Sequence, residues 1–490
     1  MAPAQASDSG EVASARSRLK PWQRTVLIFI LVVLVLGAAG YLLYDIAVVR
    51  PLRRELAWIE ARGESLRLED LAPDPVPADE NAAPLYERAF ALLQASGSDT
   101  ENVLVEALNA VQDEAETWDE ALRDALAYAS EEGAVNPDGL TEEDARQAVE
   151  RRLARNRAAM ELIRQANEEP LCRFDVDYGQ IPVSGEADHE SLVESMRLFA
   201  LESRTLRRKG DGDGAAEAGH QVILLEKATR EPAWMSSCMT GSLFVAVATD
   251  TCWRPLIDAP QVTFATWRRC LDALNAIDRR PVFLAALQGE RAMMMGYIDK
   301  YAGNPKALGA LTQGRYSPPP PPPPSAWQRV WHPRLTMDRA LYLWHMREMI
   351  EIGERPPWKA LTGAVDAQNT RRSDPKWAIA TRALAPSYRF ITVCVEDETR
   401  LALARVALAL KLHKHAHGAY PAALDVFAPD VLKEVPIDPC RGKPFVYRRE
   451  GDGFLLYSFG LDQADDDGNE VPPDPSKENQ GVDLVWRAQR

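Results

Sequence analysis

The distribution of apolar and polar positions changes character several times along the chain. From Thr25 to Tyr44 it reads TVLIFILVVLVLGAAGYLLY, 20 residues without a charge. At 1.5 Å of helical rise per residue such a run matches a hydrocarbon layer about 30 Å thick. A helix in a soluble core would show a polar face, and this one shows none. Trp22, Tyr41 and Tyr44 stand near the ends, where amphipathic rings favour a membrane interface, and Arg24 and Arg50 bracket the run. The run is longer than the apolar part of a cleaved signal peptide and no Ala-x-Ala site follows it, so an uncleaved anchor is expected.

Beyond the anchor the periodicity is helical. Residues 53–68 predict a short stalk, and the Pro-rich stretch Leu71-Ala-Pro-Asp-Pro-Val-Pro77 ends it through fixed φ angles. Between Ala82 and Ala166, Ala, Leu, Glu and Arg dominate, and the turn signals Gly97, Gly133, Pro137 and Gly139 divide them into three or four helices. Leu192, Met196, Phe199, Ser203 and Leu206 then form one helical stripe. Lys209-Gly-Asp-Gly-Asp-Gly214 interrupts it, and a helix from Ala215 to Thr229 is predicted to pack back antiparallel. This hairpin resembles tetratricopeptide-like units, although no 34-residue pattern repeats. Further helices are predicted over Met235–Trp253, Phe264–Asn275, Val282–Tyr301 and Met337–Ile352. Pro318 to Pro324 is an unbroken proline run, an extended spacer of roughly 22 Å or a ligand for a proline-recognition domain.

The last hundred residues change again. Leu401, Ala404 and Leu408, with Leu403, Ala407 and Leu410 beside them, predict a helix buried over more than half its circumference, stopped by Gly418-Ala-Tyr-Pro421. Lys443–Tyr447 and Phe454–Phe459 predict two strands around the turn Glu450-Gly-Asp-Gly453. The order of long helix, Gly-x-Tyr-Pro, Val435-Pro-Ile-Asp-Pro439, Gly442-x-Pro-x-x-Tyr447 and Tyr457-Ser-x-Gly460 resembles the globular part of major pseudopilins of type II secretion, from about Glu396 to Asn469. The whole layout resembles bacterial single-pass proteins that carry this module after a helical region. Two features depart from the family: more than 350 residues separate anchor from module, and Cys440-Arg441 stands where an aromatic residue usually follows Asp-Pro.

The expected fold is therefore mainly α, with a small C-terminal α+β module. Residues 1–24 form a basic tail, 25–44 the span, 45–80 a stalk and linker, 81–316 a helical region and 317–333 a Pro-rich spacer. A helical continuation (334–395), the module (396–470) and a tail (471–490) complete the order.

Charge narrows the partners. The formal net charge is -15; residues 1–50 carry five Lys/Arg against three Asp/Glu, a net +2, which leaves -17 beyond Arg50. So acidic a body repels nucleic acid. Basic residues flank the span equally, with Arg16, Arg18, Lys20 and Arg24 before it and Arg50, Arg53, Arg54 and Arg62 after it. The tail is assigned to the cytoplasm because a short basic tail before one apolar segment behaves as a signal anchor. Together with the resemblance, this implies a bacterial inner-membrane protein with its bulk in the periplasm.

Candidate chemistry is sparse. In major pseudopilins the loop after Tyr-Ser-x-Gly binds calcium, so the resemblance implies calcium ligands at Asp462, Asp465, Asp466, Asp467 and Asn469. A solvated acidic loop is the alternative. His413 and His417 share a helix face four residues apart, as metal ligands can, or simply face the helix dipole. Asp175, Asp177, Asp211 and Asp213 are carboxylates near turns. Cys172, Cys238, Cys252, Cys270, Cys394 and Cys440 form no Cys-x-x-Cys pair and read as buried thiols, or, after export, as a disulfide such as Cys238 with Cys252. The Gly-x-Ser-x-Gly, phosphate-loop, dinucleotide and His-Glu-x-x-His patterns are absent from the sequence. The leading expectation is an extracytoplasmic interaction or scaffold protein with a protein partner. The alternative is a membrane-bound hydrolase with a site in the helical region.

Overall fold

The computed structural model describes residues 20–93, 142–179, 188–301, 333–371, 380–429, 431–470 and 482–489. The proline run therefore lies outside the described residues. The fold is mainly helical, with a small strand-containing region near the C-terminus.

Among the described residues one helix is long and apolar enough to cross a membrane, and it does not stop where the apolar run stops. Helix α1 (Pro21–Tyr44) passes through a π-helical turn (Asp45–Val49) into α2 (Arg50–Ala61). The 41 residues form one continuous helix about 60 Å long at 1.5 Å per residue. No side chain of α1 is buried by the rest of the protein. Asp45 in the π turn accepts from the Arg50 guanidinium at 2.8 Å. Gly63, at φ +66°, turns the chain away from the end of α2.

The stalk expected over 53–68 is not free-standing. Ile59 on α2 is buried in a core with Phe283, Tyr342, Met346 and Ile350. Glu55 meets Arg347 of α10 (Pro333–Gly353) at 2.7 Å, and Arg62 pairs with Glu354 just beyond that helix. Both pairs are separated by 292 residues in sequence. A constant offset over two turns means that α2 and α10 run parallel. Helix α9 (Arg280–Tyr301) runs the opposite way, since Tyr342 donates to the Glu290 carbonyl while Arg339 pairs with Asp299.

A second core packs α3 (Ala83–Phe90), α4 (Glu142–Glu168), α5 (His189–Arg208), α6 (Gly212–Leu224) and α8 (Phe264–Asn275) around Phe199, Trp253 and Trp267. Helix α5 and α6 form the expected hairpin, but α6 begins three residues early. Asp211 caps it by accepting from the Gly214 amide at 2.9 Å, which makes Gly-Asp-Gly a first turn instead of a loop. Asp213 accepts from the Thr263 amide at 2.8 Å and fixes the start of α8 against the hairpin. Helix α7 (Met235–Ala246) continues as a π-helical stretch to Trp253.

The two cores share α12 (Ala380–His417), 38 residues or about 57 Å long. Phe390 and Cys394 belong to the first core, and Leu401 to Leu412 to the second. Tyr388 donates to Glu348 at 2.5 Å, and Arg280 joins Glu398 at 3.1 Å to the Gly353 carbonyl at 2.8 Å, so α12 also runs parallel to α10. Helix α11 (Pro357–Arg371) fills the side of this bundle.

Against the far half of α12 lies an antiparallel sheet of β3 (Val446–Glu450), β4 (Gly453–Ser458) and β5 (Leu484–Ala488), beside a short pair, β1 (Ile437–Asp438) and β2 (Lys443–Pro444). Strand β4 is buried throughout, because Phe454 and Leu456 face α12 while Leu455 and Tyr457 pack with Val485 on the other side. That two-sided burial explains the unbroken apolar run Phe454-Leu-Leu-Tyr457. The span read as a tail holds the third strand, with Trp486 opposite Leu456. The expected boundary at 396 falls inside α12.

Candidate functional site

The motif residues of the C-terminal region converge on one another. Asp438, fully buried, accepts from the Cys440 amide at 2.9 Å and the Ser458 hydroxyl at 2.8 Å, tying the Pro-x-Asp-Pro turn to the end of β4. Tyr420 packs edge-on against Phe454 at 4.8 Å, and Tyr447 donates to the Pro421 carbonyl at 2.7 Å. These residues build the scaffold from which the acidic loop leaves at Gly460.

Within the loop two of the four aspartates, Asp462 and Asp465, serve its own backbone. Asp462 accepts from the Ala464 amide at 3.0 Å. Asp465 accepts from the Tyr457 hydroxyl at 3.1 Å and the Asp467 amide at 3.0 Å. Asn469 donates to the Asp466 carbonyl at 2.8 Å. Positive φ angles at Gln463, Asp467 and Gly468 fold the segment tightly.

The loop closes on a residue that the sequence did not single out. Asp483, only 1% exposed, accepts from the Asp466 amide at 3.2 Å and the Gly468 amide at 2.8 Å through Oδ2, while its Oδ1 has no partner. Burial, reinforced by the charges of Asp466 and Asp465, pushes its pKa up to about 6. An orphaned buried carboxylate oxygen beside two further carboxylates suits a divalent cation. The set is nonetheless incomplete, because no three acidic, His or Cys side chains converge to hold a metal among the described residues. A calcium ion here requires the Asp465 carboxylate to turn from the Asp467 amide towards Asp483.

The other sequence candidates are structural. The rings of His413 and His417 stack with centroids 4.1 Å apart, and their Nδ1 atoms lie 2.9 and 3.1 Å from the carbonyls of Ala419 and His413. They cap the end of α12. Asp177 accepts from the Gly179 amide, and Asp211 and Asp213 are the helix-start ligands described above. All six thiols are free and buried. Cys238 and Cys252 stand fourteen residues apart along one continuous helix, about 21 Å by its rise, so they cannot pair. Cys238 instead touches Cys394 of α12.

Where the two cores meet, Arg279 is wholly buried. Its guanidinium donates to Glu226 at 2.5 Å, Asp397 at 3.0 Å, the Cys238 carbonyl at 2.5 Å and Ser242 at 3.2 Å. Burial opposes the charge, but Asp397 and Glu226 hold the guanidinium protonated. Periodicity gave no signal for this cluster, because its members lie on four separate segments. A cavity of about 410 Å³ opens nearby, lined among others by Tyr178, Arg230, Glu231, Trp234 and Gln288. Burial raises the pKa of Glu231 there.

No protein-family model matches the chain, and neither a curated protein nor a solved structure matches it.

Proposed function

We propose that this chain is a single-pass interaction protein of the bacterial inner membrane that holds a pseudopilin-like module at a fixed height on the periplasmic side. The observation that carries the reading is mechanical. The apolar helix runs without a break into a segment clamped to the body by Glu55–Arg347 and Arg62–Glu354, and α10 and α12 continue outward in the same direction. Such an arrangement serves presentation: it sets the C-terminal surface far from the anchor and restricts its orientation. Val426 and Ile437 are exposed apolar side chains on that surface. The partner is a protein of the envelope or of a secretion assembly, and calcium is the ligand proposed for the loop around Asp483.

The test is site-specific photo-crosslinking in intact cells. A photoreactive residue at Val426 or Ile437 is expected to give one discrete protein adduct, absent when it is placed at Met239 on the helical body. Adduct-free protein from both distal sites would overturn the reading.

The hydrolase alternative rests on the cavity beside Trp234. Glu231 supplies one carboxyl group there, while Arg230 is already committed to Glu226 at 2.7 Å. Glu231→Gln abolishing a hydrolytic activity of the purified protein would favour that reading.

A further inference from the structure

The register between α2 and α10 fixes where the body begins relative to the anchor. Extending the 292-residue offset of the two ion pairs toward the anchor sets Met337 level with Asp45, one residue past the uncharged run, and Pro333 level with Tyr41 inside it. The extension is supported by contact, since α10 packs on the π-helical turn and Val48 is buried. Helix α9 ends at the same level, because Arg339 near the start of α10 pairs with Asp299 near the end of α9. Three helix segments therefore reach one plane at the boundary of the apolar span.

The side chains at this plane suit a lipid surface. Met337 is 46% exposed and Ile46 48%, apolar groups left open to about half their extent. Arg50 and Arg53 project beside them with side chains 60% and 71% exposed, both tied to Asp45. Apolar groups at acyl-chain level with guanidinium groups just above them match the order of a bilayer boundary.

We propose that this end of the body, formed by the π-helical turn, the start of α10 and the end of α9, lies in the headgroup layer of the bilayer that α1 spans. The body thus stands on the membrane instead of being held off it by a stalk. Its occupant is the phospholipid surface itself, contiguous with the anchor. The inference rests on reading α1 as a bilayer span and is independent of which side the body occupies.

Full-length protein reconstituted in phosphatidylcholine nanodiscs carrying headgroup nitroxides tests it. Single fluorophores are attached through Leu34→Cys, Met337→Cys and Val426→Cys, the six native thiols being buried. Quenching is expected at Met337 as strong as at a label on Ile46→Cys, and none at Val426. An unquenched label at Met337, repeated with Thr336→Cys, overturns the proposal. If a label at Leu34 also proves inaccessible to a nitroxide placed on the acyl chain, the span reading itself has failed; if Leu34 is quenched, only the surface contact has.

Discussion

Glu55, ten residues beyond the Asp45 that closes the apolar run, is 3% exposed and meets the Arg347 guanidinium at 2.7 Å. A carboxylate so deeply buried on the helix that continues the anchor makes the anchor part of the fold. Replacing Arg347 by Met leaves Glu55 without its cation, a loss of about 3 kcal/mol. Chemical denaturation in detergent micelles should show it, and the double variant Glu55→Leu, Arg347→Met should recover most of the stability.

Arg279 braces the junction of the two cores. Arg279→Met strands Asp397, leaves Glu226 with Arg230 as its one cation, and is expected to cost about 3–5 kcal/mol. Gly241→Ala should also destabilise, because a Cβ there would stand 2.5 Å from Arg279 Nη1. Thermal melts of the two variants check both statements; an unchanged melting temperature for Gly241→Ala would contradict the packing at that position.

The acidic loop predicts a pH effect of definite sign. Asp483 titrates near 6 in the folded state and near 3.9 when unfolded, so the native protein holds a proton that the unfolded chain has lost between those values. Its contribution to stability is present below about pH 4 and is lost as pH rises through 6. In chelator the advantage of Asp483→Asn over the native sequence should therefore grow across this window. Millimolar calcium should raise the melting temperature of the native protein at pH 7 and leave Asp483→Asn unmoved. No shift in the native protein would remove calcium from the proposal.

The thiols give a simple check. Native protein should resist alkylation at all six cysteines, and peptide mapping after oxidative refolding should find no Cys238–Cys252 link. Any intramolecular link at Cys238 joins Cys394.

Local signals were legible in the sequence and long-range ones were not. Uniform apolarity marked the long apolar helix, and the helix predicted over Phe264–Asn275 has those ends in the structure. The Gly-Asp turn gave the hairpin but not its capped start at Asp211. Strand β5 gives a weak signal because it is short and a polar, Pro-containing stretch of sequence separates it from the strand it joins. Asp483 escaped with it, fourteen residues beyond Asn469 and far from the acidic cluster it completes. The parallel course of α2 and α10 depends on ion pairs 292 residues apart, for which no periodicity exists. The motifs of the C-terminal region are local, whereas its helix is shared by both cores.

Rigid presentation is the centre of this account, and a distance distribution tests it most directly. Tyr388 sits beside Glu348, so Val426, packed near His413 through Phe427, should stand about 50 Å from Ile46 along the axis at 1.5 Å per helical residue. Spin labels at Ile46→Cys and Val426→Cys in the reconstituted protein should give one narrow peak near that separation. A broad distribution extending well below it would mean that the anchor is a flexible tether, and the account would be wrong.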